Sequence, residues 1–480
     1  MDPITAAAAE IALSTLVQRA PIAQVLGQQF KENGKKLALV GGSVRDAILG
    51  RLGNDLDFTT DAQPDEIKTI IKEVVDNTWD TGARFGTISA KLENYDIEIT
   101  TYRSESYQND SRKPDVSFGG SIEEDLVRRD FTINSMALEL TSEEPIFIDP
   151  FNGVLDLAKK IIKTPNTPEE SFSDDPLRIL RAIRFSAQLD FEIDKDVYKA
   201  LLEMKDRLEI ISAERIRDEF VKILMSENPR KGITALVDSQ IAEIFIPEIP
   251  KLQLEIDEHH HHKDVYQHSI KVLEQAIALE DRLGGPNLVI RLAALLHDIG
   301  KPRTRKLLDG GGVSFHHHEV VGAKMVRERL KQLRFDGSVI KAVSQLTFLH
   351  LRFHGYGNGE WSDSAVRRYV RDAGELLDHL HVLTRADCTT RNQKKAESLA
   401  DSYSSLENRI EALAAEEELL KIRPDLDGGE IMKILGIKPG PMVGKAYNHL
   451  LELRLDQGPL GEERAKAELI SWWDLQNEKP

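Results

Sequence analysis

One cysteine, Cys388, in 480 residues excludes an intramolecular disulfide framework and agrees with a reducing compartment. Long apolar runs are missing as well: no stretch approaches the length of a membrane span, so no membrane partner is expected. The first residues, Met1-Asp2-Pro3-Ile4, lack the basic segment of a secretory leader, and Glu10 interrupts the alanine-rich stretch behind them. A cytoplasmic location is the expectation. Positive charge is scarce, with 63 Lys and Arg against 80 Asp and Glu and a net charge of −17. That balance excludes a protein that coats nucleic acid non-specifically, because phosphate backbones are held by clustered cations. It still permits a local stripe of arginines to hold one triphosphate, or one end of one RNA, while the remaining surface repels bulk polyanion.

What is present describes an ordinary globular chain, 41% hydrophobic and 30% charged. Its length exceeds what one core can use, so two to four domains are expected. Residues 5–30 read as one helix. Leu37-Ala38-Leu39-Val40 reads as a short buried strand running into Gly41-Gly42, with a helix from Ser43. Further strands are read at Asp55-Leu56-Asp57-Phe58 and Asp96-Ile97-Glu98-Ile99-Thr100. Near Ile161 the strand signals stop and helical patterns take over at 176–188, 195–204, 213–225 and 229–237. Histidines are concentrated between His259 and His381, and the segment from Arg391 is again helical and charged. The expected boundaries fall near 160, 258 and 395.

Alternation in a strand puts Asp55 and Asp57 on one face and Leu56 on the other. Two carboxylates about 7 Å apart can share hard divalent cations such as Mg²⁺, which suits two-metal nucleotidyl transfer. By itself the pair also fits a turn and a cap. Gly41-Gly42-Ser43-Val44-Arg45-Asp46, between a strand and a helix, adds a phosphate cradle: glycines allow close approach, the helix start offers free N–H groups, and Arg45 supplies a charged fork. Glu98 is either a third carboxylate of this site or a solvent-facing glutamate on an edge strand.

With Arg128-Arg129-Asp130-Phe131-Thr132-Ile133-Asn134 and Asp174-Asp175-Pro176-Leu177-Arg178 following in order, the chain resembles the class II tRNA nucleotidyltransferase and bacterial poly(A) polymerase family over about residues 37–225. The resemblance implies an α+β protein: a small mixed α/β nucleotidyltransferase head of the polymerase-beta-like kind, followed by all-α neck, body and further helical domains. It implies Mg²⁺ on Asp55 and Asp57. It also implies Gly41, Gly42 and Arg45 on the triphosphate, Arg129 and Asp130 near sugar and phosphates, and Asp175 with Arg178 as the protein template that reads the incoming base. Spacing i, i+3 on a helix would put that acceptor and donor on one face, and Arg181 and Arg184 would continue the face towards the triphosphate. The alternative is a salt-bridged helix surface. Asp174 stands where the family commonly has Glu. Asp149-Pro150-Phe151-Asn152-Gly153-Val154-Leu155-Asp156-Leu157 resembles a flexible family element and equally a turn entering a helix. In Ser212-Ala213-Glu214-Arg215-Ile216-Arg217, Glu214 and Arg215 are expected to stabilise the neck. A polar loop between Arg103 and Asp125, with Tyr107, Asn109, Asp110, Arg112 and Lys113, is long enough to move.

Gly82-Ala83-Arg84-Phe85-Gly86-Thr87-Ile88 is similar to the pattern of members that add CCA, and the acidic end with Gly461-Glu462-Glu463 lacks a basic RNA-gripping tail. The expected function is addition of the 3′-terminal CCA to tRNA from CTP and ATP without a nucleic-acid template. Poly(A) addition, CC-only or A-only addition, and an inert RNA- or nucleotide-binding protein are the alternatives. Behind this region, Leu295-Leu296-His297-Asp298-Ile299-Gly300-Lys301, with His268 upstream and Asp387 downstream, resembles the HD phosphohydrolase superfamily. The resemblance implies a divalent ion on His268, His297, Asp298 and Asp387, with His318 and His350 permitting a second. Spacing does not separate His316, His317 and His318; His318 is the residue chosen. The run from His259 to His262 reads either as a polar lid or as a solvated loop. The resulting domain expectation is a head at 1–160, a neck and body at 161–257, an HD domain at 258–395 and a helical tail at 396–480.

Overall fold

The computed structural model describes residues 2–80, 86–106, 115–118, 120–253, 264–308, 312–353, 361–390, 392–417 and 423–477. Most of the Gly82 to Ile88 pattern, the named residues of the polar loop and the His259 to His262 run lie outside the described residues. The chain divides into two compact units, Met1–Phe245 and Ile246–Pro480.

The first unit is built on a seven-stranded sheet. Its strands are β1 (Leu37–Val40), β2 (Asp55–Thr60), β3 (Asn77–Trp79), β4 (Thr87–Leu92), β5 (Tyr95–Thr101), β8 (Ala137–Glu139) and β9 (Ile146–Ile148), while β6 (Arg103–Ser106) and β7 (Asp115–Phe118) form a separate hairpin. The order is β3-β4-β5-β2-β1-β8-β9. Only β2 and β5 run parallel, in a register that sets Asp55 beside Asp96 and Asp57 beside Glu98. Along β2 the aspartates are exposed and Leu56 and Phe58 buried, as alternation requires. Three sheet strands were legible as apolar or alternating runs. β3, β8 and β9 have three residues each, too few for a periodic signal.

The expected helix over 5–30 is two helices, Pro3–Arg19 and Ile22–Glu32. Pro21 lacks an N–H and pushes Ala20 out of the helical region, to φ −142°. Strand pairing also continues past Ile161: Ile161–Ile162 pairs in parallel with Glu192–Ile193. Beyond it, helices Leu177–Leu189, Ala213–Leu224 and Pro229–Asp238 close on a core that includes Ile183, Phe220, Ile223 and Leu236.

Among the described residues, the regular structure of the second unit is helical apart from a two-residue strand pair. Val265–Ile277, Leu288–Leu296, His318–Gln332, Gly337–Leu349 and Leu377–Ala386 supply the histidine and aspartate cluster. After helix Gln393–Glu417, three further helices, Gly428–Leu435, Pro441–Gln457 and Glu462–Asn477, pack a small core of their own around Ile431, Leu450 and Leu469. Among the described residues, no helix is long and apolar enough to cross a membrane.

Candidate functional site

β1 ends at a turn that places Gly41 at φ +68°, a conformation that disfavours a side chain. A Cβ there would lie 2.8 Å from Arg129 Nη1 and 3.9 Å from Asp57 Oδ2. This glycine lets the cations and the strand that carries Asp57 approach one another. The next residues start helix Gly42–Ile48, and Ser43 ties that start to β2: its Oγ accepts from the Asp57 N–H at 3.0 Å and donates to the Asp55 carbonyl at 3.3 Å. No sequence signal singles out Ser43, because its role is to bond a backbone across the turn.

Asp57 opens onto a cleft of ≈ 390 Å³. Seven arginines line it, Arg45, Arg128, Arg129, Arg178, Arg181, Arg184 and Arg215, against the three carboxylates of Asp57, Asp130 and Asp175. In a chain of net charge −17 this is a concentrated cationic pocket, suited to a polyphosphate. Its forks are held by the protein. Arg45 Nη1 donates to Asn134 Oδ1 at 2.6 Å, and Arg129 Nη2 donates to the buried Asp125 at 3.1 Å. Arg181 Nε donates to Asp130 Oδ2 at 2.7 Å, and Arg184 Nε donates to the buried Glu219 at 2.6 Å. Arg45, Arg181 and Arg184 also surround the Phe185 ring, at 5.2, 5.5 and 3.8 Å from its centroid. Such partners fix the forks before a ligand arrives. Arg129 Nε is buried with no hydrogen-bond partner among the described residues, an unspent donor at the cleft wall.

Charge is strongly perturbed here. Crowding by surrounding protein raises the Asp57 carboxyl above its ordinary range; Arg129 opposes this and Asp55 adds to it. Glu98 is raised by desolvation and then by Asp57 and Asp55. Adjacent carboxylates that resist ionising together are what a divalent cation relieves. Among the described residues, Asp55, Asp57 and Glu98 do not form a triad with ligand atoms all within 4.8 Å. Asp130 moves the other way: burial opposes its charge, but Arg181 and Asn134 hold it far below the usual carboxylate range.

The expected base-reading pair is arranged differently from the helix-face reading. Asp175 is extended, at φ −140°, between helices Pro168–Asp174 and Leu177–Leu189. Only Arg178 is helical, since Pro176 forces the break. Asp175 Oδ1 accepts from the Leu177 N–H at 3.1 Å, and its Oδ2 accepts from Arg215 at 2.8 Å. Arg178 donates to Ser171 Oγ at 2.9 Å and to the Arg128 carbonyl. Both side chains nonetheless line the cleft. Arg215, expected to serve the neck, lines it as well.

The 149–157 element adopts its turn reading. Asp149 accepts from the Gly153 and Val154 N–H groups at 2.7 and 3.0 Å. Asp156 accepts from Thr132 at 2.7 Å, and a Cβ on Gly153 would lie 2.2 Å from the Thr132 carbonyl oxygen.

In the second unit the cluster contains all six expected residues. His268 Nε2 is 3.0 Å from Asp387 Oδ1 and 3.3 Å from His297 Nε2. Asp298 reaches both halves, with Oδ2 3.3 Å from His297 and Oδ1 3.2 Å from His318. His318 Nε2 is 3.3 Å from His350 Nε2. The atoms form two sets within 4.8 Å, His268/His297/Asp387 and Asp298/His318/His350. Of the three consecutive histidines, His318 is the one in the cluster: the His317 side chain is 82% exposed and that of His318 9%, and His316 is exposed. His297, His318 and His350 each place Nδ1 against a backbone carbonyl, of Ala294, Phe315 and Thr347, at 2.9, 2.8 and 2.6 Å. A carbonyl only accepts, so Nδ1 carries a proton and, in the neutral ring, Nε2 presents a bare lone pair. Bare Nε2 atoms thus face one another and the buried Asp298 Oδ1, which has no hydrogen-bond partner among the described residues. A donor set of this kind fits a divalent cation. Burial pushes His350 down to about 3, so its ring stays neutral.

Comparison with known proteins matches this division. The family model described as "Poly A polymerase head domain" fits residues 37–163, "Probable RNA and SrmB- binding site of polymerase A" fits 190–252, and "HD domain" fits 265–392. A CCA-adding enzyme of Enterococcus faecalis is 42% identical over 214 residues, 44% of this chain and 51% of that enzyme. In such high-identity matches the alignment spans about half the length of the relative. A CCA-adding enzyme of Streptococcus suis is 31% identical over 94% of this chain and 96% of its own length. An A-adding tRNA nucleotidyltransferase of Deinococcus radiodurans is 31% identical over 91% and 95%. The solved CCA-adding enzyme of Bacillus stearothermophilus in complex with CTP shares the fold, with a TM-score of 0.66 and 22% identity over 100% of both chains.

Proposed function

The chain belongs to the family of CCA-adding tRNA nucleotidyltransferases, and we propose accordingly that it completes the 3′ end of tRNA with C, C and A from CTP and ATP. The observation that carries this reading is the single cleft lined by Asp57, Asp175 and seven arginines, Arg178 among them. No nucleic-acid strand is needed to select the base if protein groups offer the acceptor and the bidentate donor.

Within the cleft, Arg45, Arg129, Arg181 and Arg184 bind the triphosphate, with the Gly41-Gly42 turn and the helix start allowing close approach. Asp130 orients Arg181. Asp55 and Asp57 hold Mg²⁺, with Glu98 beside them. The bound ions supply activation of the tRNA 3′-hydroxyl and stabilisation of the departing pyrophosphate. Asp175 and Arg178 read the base after exchanging their present partners, Arg215 and Ser171, for its edge. The matched spans support a head at 1–160, a neck and body at 161–257 and an HD domain at 258–395, and the separate small core around Ile431, Leu450 and Leu469 supports a tail at 396–480. The single cysteine supports a cytoplasmic setting.

A second reading, A-only addition, is favoured by the A-adding relative, which is as similar over comparable length as the CCA-adding one. The HD cluster is a further site for divalent metal, held by His268, His297, Asp298, His318, His350 and Asp387. A metal bound there supplies an activated water for phosphate-ester hydrolysis. The test of the head is Asp57→Ala assayed for nucleotide incorporation into trimmed tRNA. Loss of at least about a hundredfold, the scale of removing one charge-stabilising group, is expected with the fold intact. Full activity would rule out Asp57 as a metal ligand of the reaction, and no incorporation by the wild type would favour the inert alternative.

A further inference from the structure

The HD cluster, read as a metal site, holds its ligands in two ways. His297, His318 and His350 are anchored locally, each to the carbonyl three residues upstream, and Asp298 accepts from Lys301 at 2.6 Å. Asp387 is different. It stands at the C-terminal cap of helix Leu377–Ala386, where the last carbonyls have no partner inside the helix. Gln275, roughly two turns beyond His268 on helix Val265–Ile277, fills that gap. Its Nε2 donates to the Ala386 carbonyl at 2.8 Å and to the Cys388 carbonyl at 3.0 Å. One amide therefore grips the chain immediately before and immediately after Asp387. The brace is reinforced from the same helix: His268 Nδ1 lies 3.1 Å from Thr389 Oγ1, and His268 Nε2 lies 3.0 Å from Asp387 Oδ1.

Given the metal site proposed above, we infer that Gln275 is a positioning residue for Asp387. It sets the affinity of the metal position formed by His268, His297 and Asp387 and leaves the position of Asp298, His318 and His350 unaffected. The amide suits this role because it carries two N–H donors in one plane, one for each carbonyl. Its hydrogen bonds go to backbone on either side of Asp387, so its influence is exerted through where Asp387 stands. Ligand sets depend on such outer contacts for their geometry.

The experiment uses the full-length apo chain carrying Asp55→Ala, so that the head carboxylates do not contribute, titrated calorimetrically with Mn²⁺ and melted without metal. The parent is expected to bind two Mn²⁺. Gln275→Met, which keeps length and removes both donors, should weaken one Mn²⁺ by about 10- to 100-fold and leave the other unchanged. Gln275→Asn, which keeps the amide and loses its reach, should give the same selective loss and decides the matter if the Met variant does not fold. His318→Ala should weaken the other Mn²⁺ and so assign the two. Gln345→Met serves as control, since Gln345 donates to the carbonyl of Asp372 at 2.7 Å, which is not one of the six cluster residues; it should alter neither Mn²⁺. Parent-like binding by the Gln275 variants would overturn the positioning role. Equal weakening of both Mn²⁺, with a fall in melting temperature like that of Gln345→Met, would reduce Gln275 to a packing group. A parent that binds no Mn²⁺ would overturn the metal reading itself, and the role with it.

Discussion

At the scale of single residues, the proposed template and the proposed triphosphate grip differ in a way that kinetics can separate. Asp175 and Arg178 are satisfied internally, by Arg215 and by Ser171, and must exchange those bonds to read a base. Asp175→Ala and Arg178→Ala should therefore relax selectivity by the ~1–3 kcal/mol of a good bidentate contact, with UTP and GTP misincorporated more often. Arg45→Ala removes a grip that serves every nucleotide alike, so all four kcat/KM values should fall together with their ranking intact. Proportional loss in the Asp175 and Arg178 variants as well would return those residues to a salt-bridged surface. The arginines and aspartates were legible because each motif gathers its residues within a few positions. Asn134, Glu219 and Arg215 were not assigned to the cleft, because their task is to hold a charged group supplied from elsewhere. Arg45 and Asn134 meet across 89 positions and Arg184 and Glu219 across 35, and no local pattern records such pairs.

At the scale of elements, Asp130 joins the segment after helix Ile122–Val127 to helix Leu177–Leu189 through Arg181, so the head–neck contact within the first unit carries a buried charge. Its folded-state carboxyl lies well below the ordinary 3.8. The stabilisation is present above that ordinary value and is lost as pH falls towards the folded-state one. Asp125, lowered by Arg129 and Arg128 against the effect of burial, adds in the same direction. Asp57 and Glu98 are raised and act oppositely, so the comparison of interest is between variants. The denaturant midpoint of Asp130→Asn should lie below that of wild type at pH 7, with the gap closing below about pH 4. A gap constant with pH would show that the ionised form of Asp130 contributes no stability. Elements with strong periodicity, such as β2 and helix Lys195–Met204, were legible with small or no boundary error. The break at Pro21 was missed where an apparent helical period ran across a proline, and Asp175 was assigned to the face of a helix that was itself read only from Pro176.

At the scale of the whole molecule, seven arginines of an acidic chain line one cleft in the first unit, and the clustered histidines lie in the second. The two sites share no ligand, and His297→Ala or Asp298→Ala should abolish metal-dependent phosphohydrolysis while nucleotide addition continues at the wild-type rate. Equal loss of both activities in a folded variant would mean that the two sites are not independent. The most direct measurement is extension of tRNA lacking its last three nucleotides, with the product sequenced after incubation with Mg²⁺ and CTP, ATP or both. Two added C residues with CTP alone, no extension with ATP alone, and a terminal CCA with both is the predicted result. A run of A residues from ATP alone, or extension confined to tRNA already ending in CC, would contradict it.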